Sequence, residues 1–286
     1  MGSTPALQHR RRFADAATCD GTVGRSFRAI ALCAVLSIIA GCNSAAPPSD
    51  DLRTGYEALA ASQYEQAMAA ADRFLQASPS GPGAAEAMYL RGRAIEQRVK
   101  SSDAEALADL RQARKLYEQA LLLRPAPLTE TYLHVSLGNV CYWLEDYAAA
   151  EAEWSAAVDK LPSEDLRSLV LYRIGVCQQR LGKWALADAT FAAVQRQYPS
   201  TPAASSAARQ QGARQFHVQV AAFQSILSAE NMVKKLRGEG FPAMRLARPE
   251  KNLHLVMVGP LPDYPRARAM KDRLVHAGYK DVMIVP

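Results

Sequence analysis

Between about Asp51 and Ala208, apolar residues recur every 3.6 positions; after Gln215 the spacing becomes alternation. The first is the period of an amphipathic helix and the second that of a half-buried strand, so the change predicts an all-α region followed by a small α+β module. In the tail, FHVQVAAF (Phe216 to Phe223) places Val218 and Val220 on one face and His217 and Gln219 on the other. SAENMVKKLRGEGF then predicts a helix, capped by Ser228 and ended by Gly238 and Gly240. PAMRLAR and NLHLVMVGP predict strands, YPRARAMKDRLVHAG a second helix and KDVMIVP a last strand. The β-α-β-β-α-β order gives a four-stranded antiparallel sheet with both helices on one face and the other open. His254, alternating with Leu253 and Leu255, falls on the helix-covered side as a structural histidine.

The amino terminus follows neither pattern. Ala29 to Ala40 reads AIALCAVLSIIA behind Arg25 and Arg28. A dozen residues make a helix of about 18 Å, short of a ~30 Å bilayer core. Such a run behind a positive flank reads as a secretory signal. Ile39-Ala40-Gly41-Cys42 resembles the lipobox of bacterial lipoproteins. The resemblance implies that residues 1–41 are a signal peptide, that Cys42 is diacylated, and that residues 42–50 form a polar, Pro-containing tether. Each buried acyl methylene contributes about 0.8 kcal/mol to such a membrane anchor. Val23, as an alternative start, gives a signal of conventional length, while Arg10-Arg11-Arg12-Phe13 lies too far upstream for a good twin-arginine match. Asn43, where enterobacterial lipoproteins retained in the inner membrane carry Asp, implies the periplasmic side of the outer membrane, with the inner membrane as the alternative.

The helical region repeats itself. LGNVCYWLEDYAAAEAEWSAAVDKLP (Leu137 to Pro162) aligns with IGVCQQRLGKWALADATFAAVQRQYP (Ile174 to Pro199). Gly138 matches Gly175, Tyr147 Trp184, Ala150 Ala187, Trp154 Phe191 and Pro162 Pro199. Gly and Ala let two helices cross closely, the aromatics fill the space between them, and Pro ends the second helix. The pattern resembles the tetratricopeptide (TPR) repeat, at a period of about 37 residues against the usual ~34. Weaker copies run through Gly55, Tyr64, Ala67, Phe74 and Pro79, and through Gly92, Ala113, Tyr117, Ala120 and Pro125. In the latter, about nine extra residues around Lys100 to Glu105 predict a longer inter-helix region. YPSTPAASSAAR predicts the start of a capping helix. The resemblance implies an all-α TPR solenoid over residues 51–212, with a concave face formed by the first helices. Its inward positions fall on Tyr89, Arg93, Tyr132, Asn139, Tyr142, Trp143, Tyr172 and Arg180. Aromatic and Arg residues in a groove anchor partner segments; the alternative is that they pack against the next repeat.

VQVAAF, AENMVKKLRGEGFPA, LVMVGPLPDYPRARAMKDRL and AGYKDVMIV together resemble the SPOR domain over residues 215–286. That implies a small ferredoxin-like or RNP-like α+β fold that binds denuded peptidoglycan glycan strands without cutting them. The candidate glycan contacts are Gln219 on the open face, Ser225 in the following turn, and Leu253 and Leu255 on the third strand. The family often has Gly-Ser where this chain has Ala221-Ala222, and a large aromatic or an Arg where it has Leu253 and Leu255. With Met257 these make the open face apolar, which favours the alternative of a protein-docking domain in an envelope complex. The architecture implies a lipid-anchored envelope scaffold that binds peptidoglycan through one domain and envelope or division proteins through the other.

Charge and candidate chemistry add exclusions. Residues 215–286 hold 11 Lys and Arg against 6 Asp and Glu, within a chain of 34 against 28. RNA is not expected, since such folds stack bases on sheet aromatics that are missing here. His134, His217, His254 and His276 are scattered without metal-ligand spacing, and no nucleophile elbow occurs, so no enzyme, cofactor or metal is expected. Cys141 and Cys177 fall at equivalent positions of neighbouring repeats and read as small buried residues, with a disulfide as the alternative.

Overall fold

The computed structural model describes residues 50–249 and 252–286. The apolar run, Cys42 and nearly all of the expected tether lie outside the described residues.

Nine α-helices are described before the first strand: α1 Asp50–Ala60, α2 Tyr64–Ala77, α3 Ala84–Gln97, α4 Asp103–Leu122, α5 Pro127–Trp143, α6 Tyr147–Ala157, α7 Glu164–Arg180, α8 Trp184–Gln197 and α9 Pro202–Gln210. Each packs on the next, so α1–α8 form four successive pairs. In three pairs the turn is the same. Ser62, Glu145 and Gly182 take positive φ angles of 59°, 62° and 74°. In each case the next amide bonds a carbonyl five residues back, as in Gln63 N to Ala58 O, Asp146 N to Cys141 O and Lys183 N to Gln178 O. These bonds satisfy carbonyls that the ending helix leaves open.

Inside each of the last three pairs a glycine faces an aromatic ring: Gly92 faces Tyr117, Gly138 faces Trp154 and Gly175 faces Phe191. A β-carbon on Gly138 or Gly175 would lie 2.5 Å from the ring, so the close crossing requires glycine. Trp154 also donates from Nε1 to Val135 O at 3.2 Å. The first pair differs. Gly55 is met by Leu90 of α3 and Ala70, while Phe74, expected in that slot, is only partly buried beside Gly83.

The second pair corrects another expectation. Most of the extra residues lengthen helix α4, to 20 residues; the region between the helices, Arg98–Ser102, gains only two residues over the three-residue turns of the other pairs. Ser102 caps α4 by accepting from Glu105 N at 3.1 Å, and the Glu105 carboxylate accepts from Ser101 N at 2.6 Å. This reciprocal arrangement starts a helix early. Arg98 fixes the extension with a bidentate pair to buried Asp109 at 2.6 and 2.7 Å. Helix α9, capped by Thr201, closes the array by burying Ala203, Ala204 and Ala207 against Phe191 and Val194.

The remaining chain forms β1 Phe216–Phe223, α10 Ile226–Gly238, β2 Ala243–Arg248, β3 Leu253–Leu261, α11 Tyr264–His276 and β4 Met283–Val285. The sheet order is β2-β3-β1-β4, all antiparallel. One face buries Val218, Val256 and Val258 against Ala229, Val233 and Leu236 of α10 and Ala267 and Leu274 of α11. Ser225, not Ser228, caps α10; its hydroxyl accepts from Ser228 N at 3.3 Å. Asp263 caps α11 in the same way. His254 lies on the helix side, where Arg245 donates to its Nδ1 at 3.1 Å while pairing with Glu230 of α10.

Candidate functional site

Helices cover one sheet face; the strand register fixes what the other face presents. Met244 on β2 lies beside Met257 on β3, Met257 beside Gln219 on β1, and Gln219 beside Met283 on β4. One row crossing all four strands is therefore Met-Met-Gln-Met. The next row is Leu246, Leu255 and Ala222, followed by Arg248 and Leu253. On the other side of the first row stand His217 and Val285. A register shift between Gln219 and Ala221 lets Val220 and Ala221 both reach the helix-side core, so strict alternation ends there and Ala222 takes the exposed position.

The face is apolar and graded in exposure. Met257, flanked by strands on both sides, is 4% exposed, whereas Leu246 on the edge strand is 41% exposed. Gln219 is partly buried, and its amide makes no hydrogen bond to the described residues, leaving its donors and acceptor for a ligand. The four predicted contacts are thus distributed along one end of the domain. Gln219 and Leu255 occupy neighbouring rows, Leu253 stands at the start of β3, and Ser225 lies past the end of β1 with its hydroxyl engaged in the cap. Met244 and Met283 complete the row and were not singled out from sequence, although alternation from Gln219 and Met257 carries that information. Burial holds the His217 imidazole below its ordinary pKa. Gly259 of the Val258-Gly259-Pro260 word has φ 146°, and a β-carbon there would lie 2.9 Å from the His217 ring.

In the helical array, most of the predicted groove residues face neighbouring helices. Tyr89, Arg93, Tyr132 and Asn139 are all buried, which corrects their placement on an open groove. Arg93 lies 3.6 Å from the Glu96 carboxylate, which also accepts from the Tyr117 hydroxyl. Burial raises the Glu96 pKa, and Arg93 only partly offsets this. Asn139 Oδ1 accepts from Arg173 at 2.8 Å, tying α5 to α7. Tyr172 accepts from Gln210 at 2.6 Å and lies 5.8 Å from Phe191, tying α7 to α9. Cys141 and Cys177 are free thiols, and burial pushes their pKa up to about 11 and about 12.

The other three, Tyr142, Trp143 and Arg180, gather at the turn edge of the third and fourth pairs. There the Arg180 guanidinium lies 4.7 Å from the Tyr142 ring and 4.8 Å from the Tyr147 ring, and donates to the Tyr147 hydroxyl at 2.8 Å. Tyr264, the first residue of α11, completes the cluster at 4.7 Å from Arg180. The Tyr147 hydroxyl donates to that of Tyr264 at 3.1 Å. Trp184 packs at a 42° tilt with its ring 5.1 Å from that of Phe216, and Arg268 pairs with Glu145. The small domain thus meets the array through its helix side, leaving the Met-Met-Gln-Met row uncovered. Tyr147, Glu145, Tyr264 and Arg268 carried no sequence signal for this role, because a contact 117 residues apart leaves no periodicity.

Among the described residues no group of His, Cys, Asp or Glu is placed to hold a metal ion. No helix there is long and apolar enough to cross a membrane. A family model of the SPOR domain matches residues 212–286, and a tetratricopeptide repeat model matches residues 169–201, which span α7 and α8. No curated protein is similar enough to match the chain. The chain therefore carries a C-terminal SPOR domain preceded by a TPR segment; both are binding modules rather than enzymes.

Proposed function

We propose that the chain is a cell-envelope scaffold whose SPOR domain binds peptidoglycan glycan strands stripped of stem peptides, across the uncovered sheet face around Gln219. The observation carrying this reading is that the matched domain presents one helix-free face with an unengaged amide at the centre of an apolar row. A glycan offers flat CH faces and acetamide groups, which an apolar surface with a primary amide complements. In this reading all four helix pairs are tetratricopeptide repeats forming a solenoid that recruits envelope or division proteins, including through Trp143 and Tyr172. Acyl chains on Cys42 hold the scaffold at the periplasmic side of the outer membrane, the inner membrane being the alternative address.

Co-sedimentation with peptidoglycan sacculi, untreated and amidase-stripped, tests the glycan step. Enrichment on stripped sacculi that weakens in Gln219→Ala and in Leu255→Asp supports it; equal recovery without sacculi from a folded protein overturns it. The three methionines and three leucines favour a second reading, protein docking on the same face, because flexible thioethers adapt to varied apolar partners. That reading predicts no sedimentation and a loss of partner capture in Met257→Asp.

A further inference from the structure

The junction between the array and the SPOR domain has the form of a socket and a plug. Three array residues make the socket: Tyr142 and Tyr147 stand 5.5 Å apart at 71°, and Arg180 packs on both rings. None of these contacts involves a residue of α11. Among the described residues Arg180 pairs with no carboxylate, so aromatic faces are its main counter-surface. The plug is one side chain: Tyr264 sits 5.3 Å from Tyr147 at 87° and touches Phe216 on its other side. One helical turn on, Arg268 reaches Glu145, the positive-φ residue of the α5–α6 turn. A tyrosine and an arginine at i and i+4 share one face of a helix. Beside them Trp184 packs at a tilt 5.1 Å from Phe216, and the arginine of the Glu145 ion pair is 56% exposed. Interfaces of this modest, mixed kind open and close.

We propose that this socket is an exchangeable docking site for helices of the pattern Tyr-x-x-x-Arg, filled in cis by α11. A partner presenting that pattern displaces α11 and frees the SPOR domain from the array. Partner binding at the turn edge and the orientation of the open sheet face are then coupled, because one socket cannot hold two plugs. The proposal rests on the junction alone and holds whether or not the sheet face binds glycan.

The test is amide relaxation of the full chain, comparing residues 127–197 with residues 216–285. The wild type should show one shared tumbling time. Tyr264→Ala, and separately Arg268→Glu, should give the SPOR amides a shorter one, and adding Glu145→Arg to Arg268→Glu should restore the shared time. A synthetic peptide of residues 262–276 should release the domain in the wild type, and the same peptide with Ala at its Tyr264 position should not. A short tether gives the cis plug an effective concentration on the order of millimolar, so peptide is added to that level. Separate tumbling in the wild type, shared tumbling in folded Tyr264→Ala, or a peptide without effect would each overturn the proposal. If Tyr264→Ala fails to fold, the charge exchange at positions 145 and 268 decides it.

Discussion

A β-carbon placed on Gly138 would sit 2.5 Å from both Cδ1 and Nε1 of Trp154. The indole is fully buried and its N–H is held by Val135, so it has no room to retreat. Gly138→Ala should therefore destabilise the array by about 1–3 kcal/mol, the usual cost of overpacking a filled core. Urea unfolding followed by tryptophan fluorescence measures it; a gain in stability would mean that the helix pair can move apart freely.

Ser62 and Glu145 occupy the turn position that Gly182 fills without a side chain. A left-handed conformation costs an L-residue roughly 1–2 kcal/mol, part of which glycine returns as unfolded-chain entropy. Ser62→Gly should raise stability by up to about 1 kcal/mol. Glu145→Gly should gain less, because it also loses the pair with Arg268. Paired thermal melts of the two variants check the order.

Cys141 and Cys177 have pKa values raised to about 11 and about 12 by burial, so at pH 8 neither carries appreciable thiolate. Neither should react with a thiol reagent at that pH until the array unfolds. Reaction kinetics in native buffer and in denaturant, read by mass, separate this from a surface thiol. Rapid native labelling at either position would contradict the packing around α5 and α7.

The His217 imidazole is held by burial below its unfolded value near 6.5. Folding favours its neutral form, so this contribution is complete above about pH 6.5 and is lost as the pH falls from that value through the lower folded-state pKa. His217→Gln should flatten the acid side of the unfolding profile of the SPOR domain below about pH 6.5. An unchanged slope would place the responsible titration elsewhere.

The two-domain division, the helix pairs and the glycine–aromatic slots were legible because each leaves a fixed spacing: Gly138 and Trp154 recur as Gly175 and Phe191. The extension of α4 was not legible, because the polar residues from Lys100 to Glu105 suit a loop or a helix equally until Ser102 and Glu105 are seen to cap. Ser225 and Ser228 are both competent caps, and the direction in which β1 enters the turn decides between them. The sheet face could be read from alternation up to Gln219, where the bulge breaks the period. The burial of Tyr89, Arg93, Tyr132 and Asn139 depends on how closely successive helices pack, which residue type alone does not settle.

Along the row that crosses all four strands, Gln219 is the one side chain able to make strong hydrogen bonds, and thioethers stand to either side of it. An extended ligand of repeating units laid over that row meets one directional contact and a smooth remainder. Such a surface can recognise what the units are without counting them. Under the proposed reading every repeat of the ligand that reaches Gln219 is equivalent, and a domain bound this way would step along a uniform chain with little change in energy.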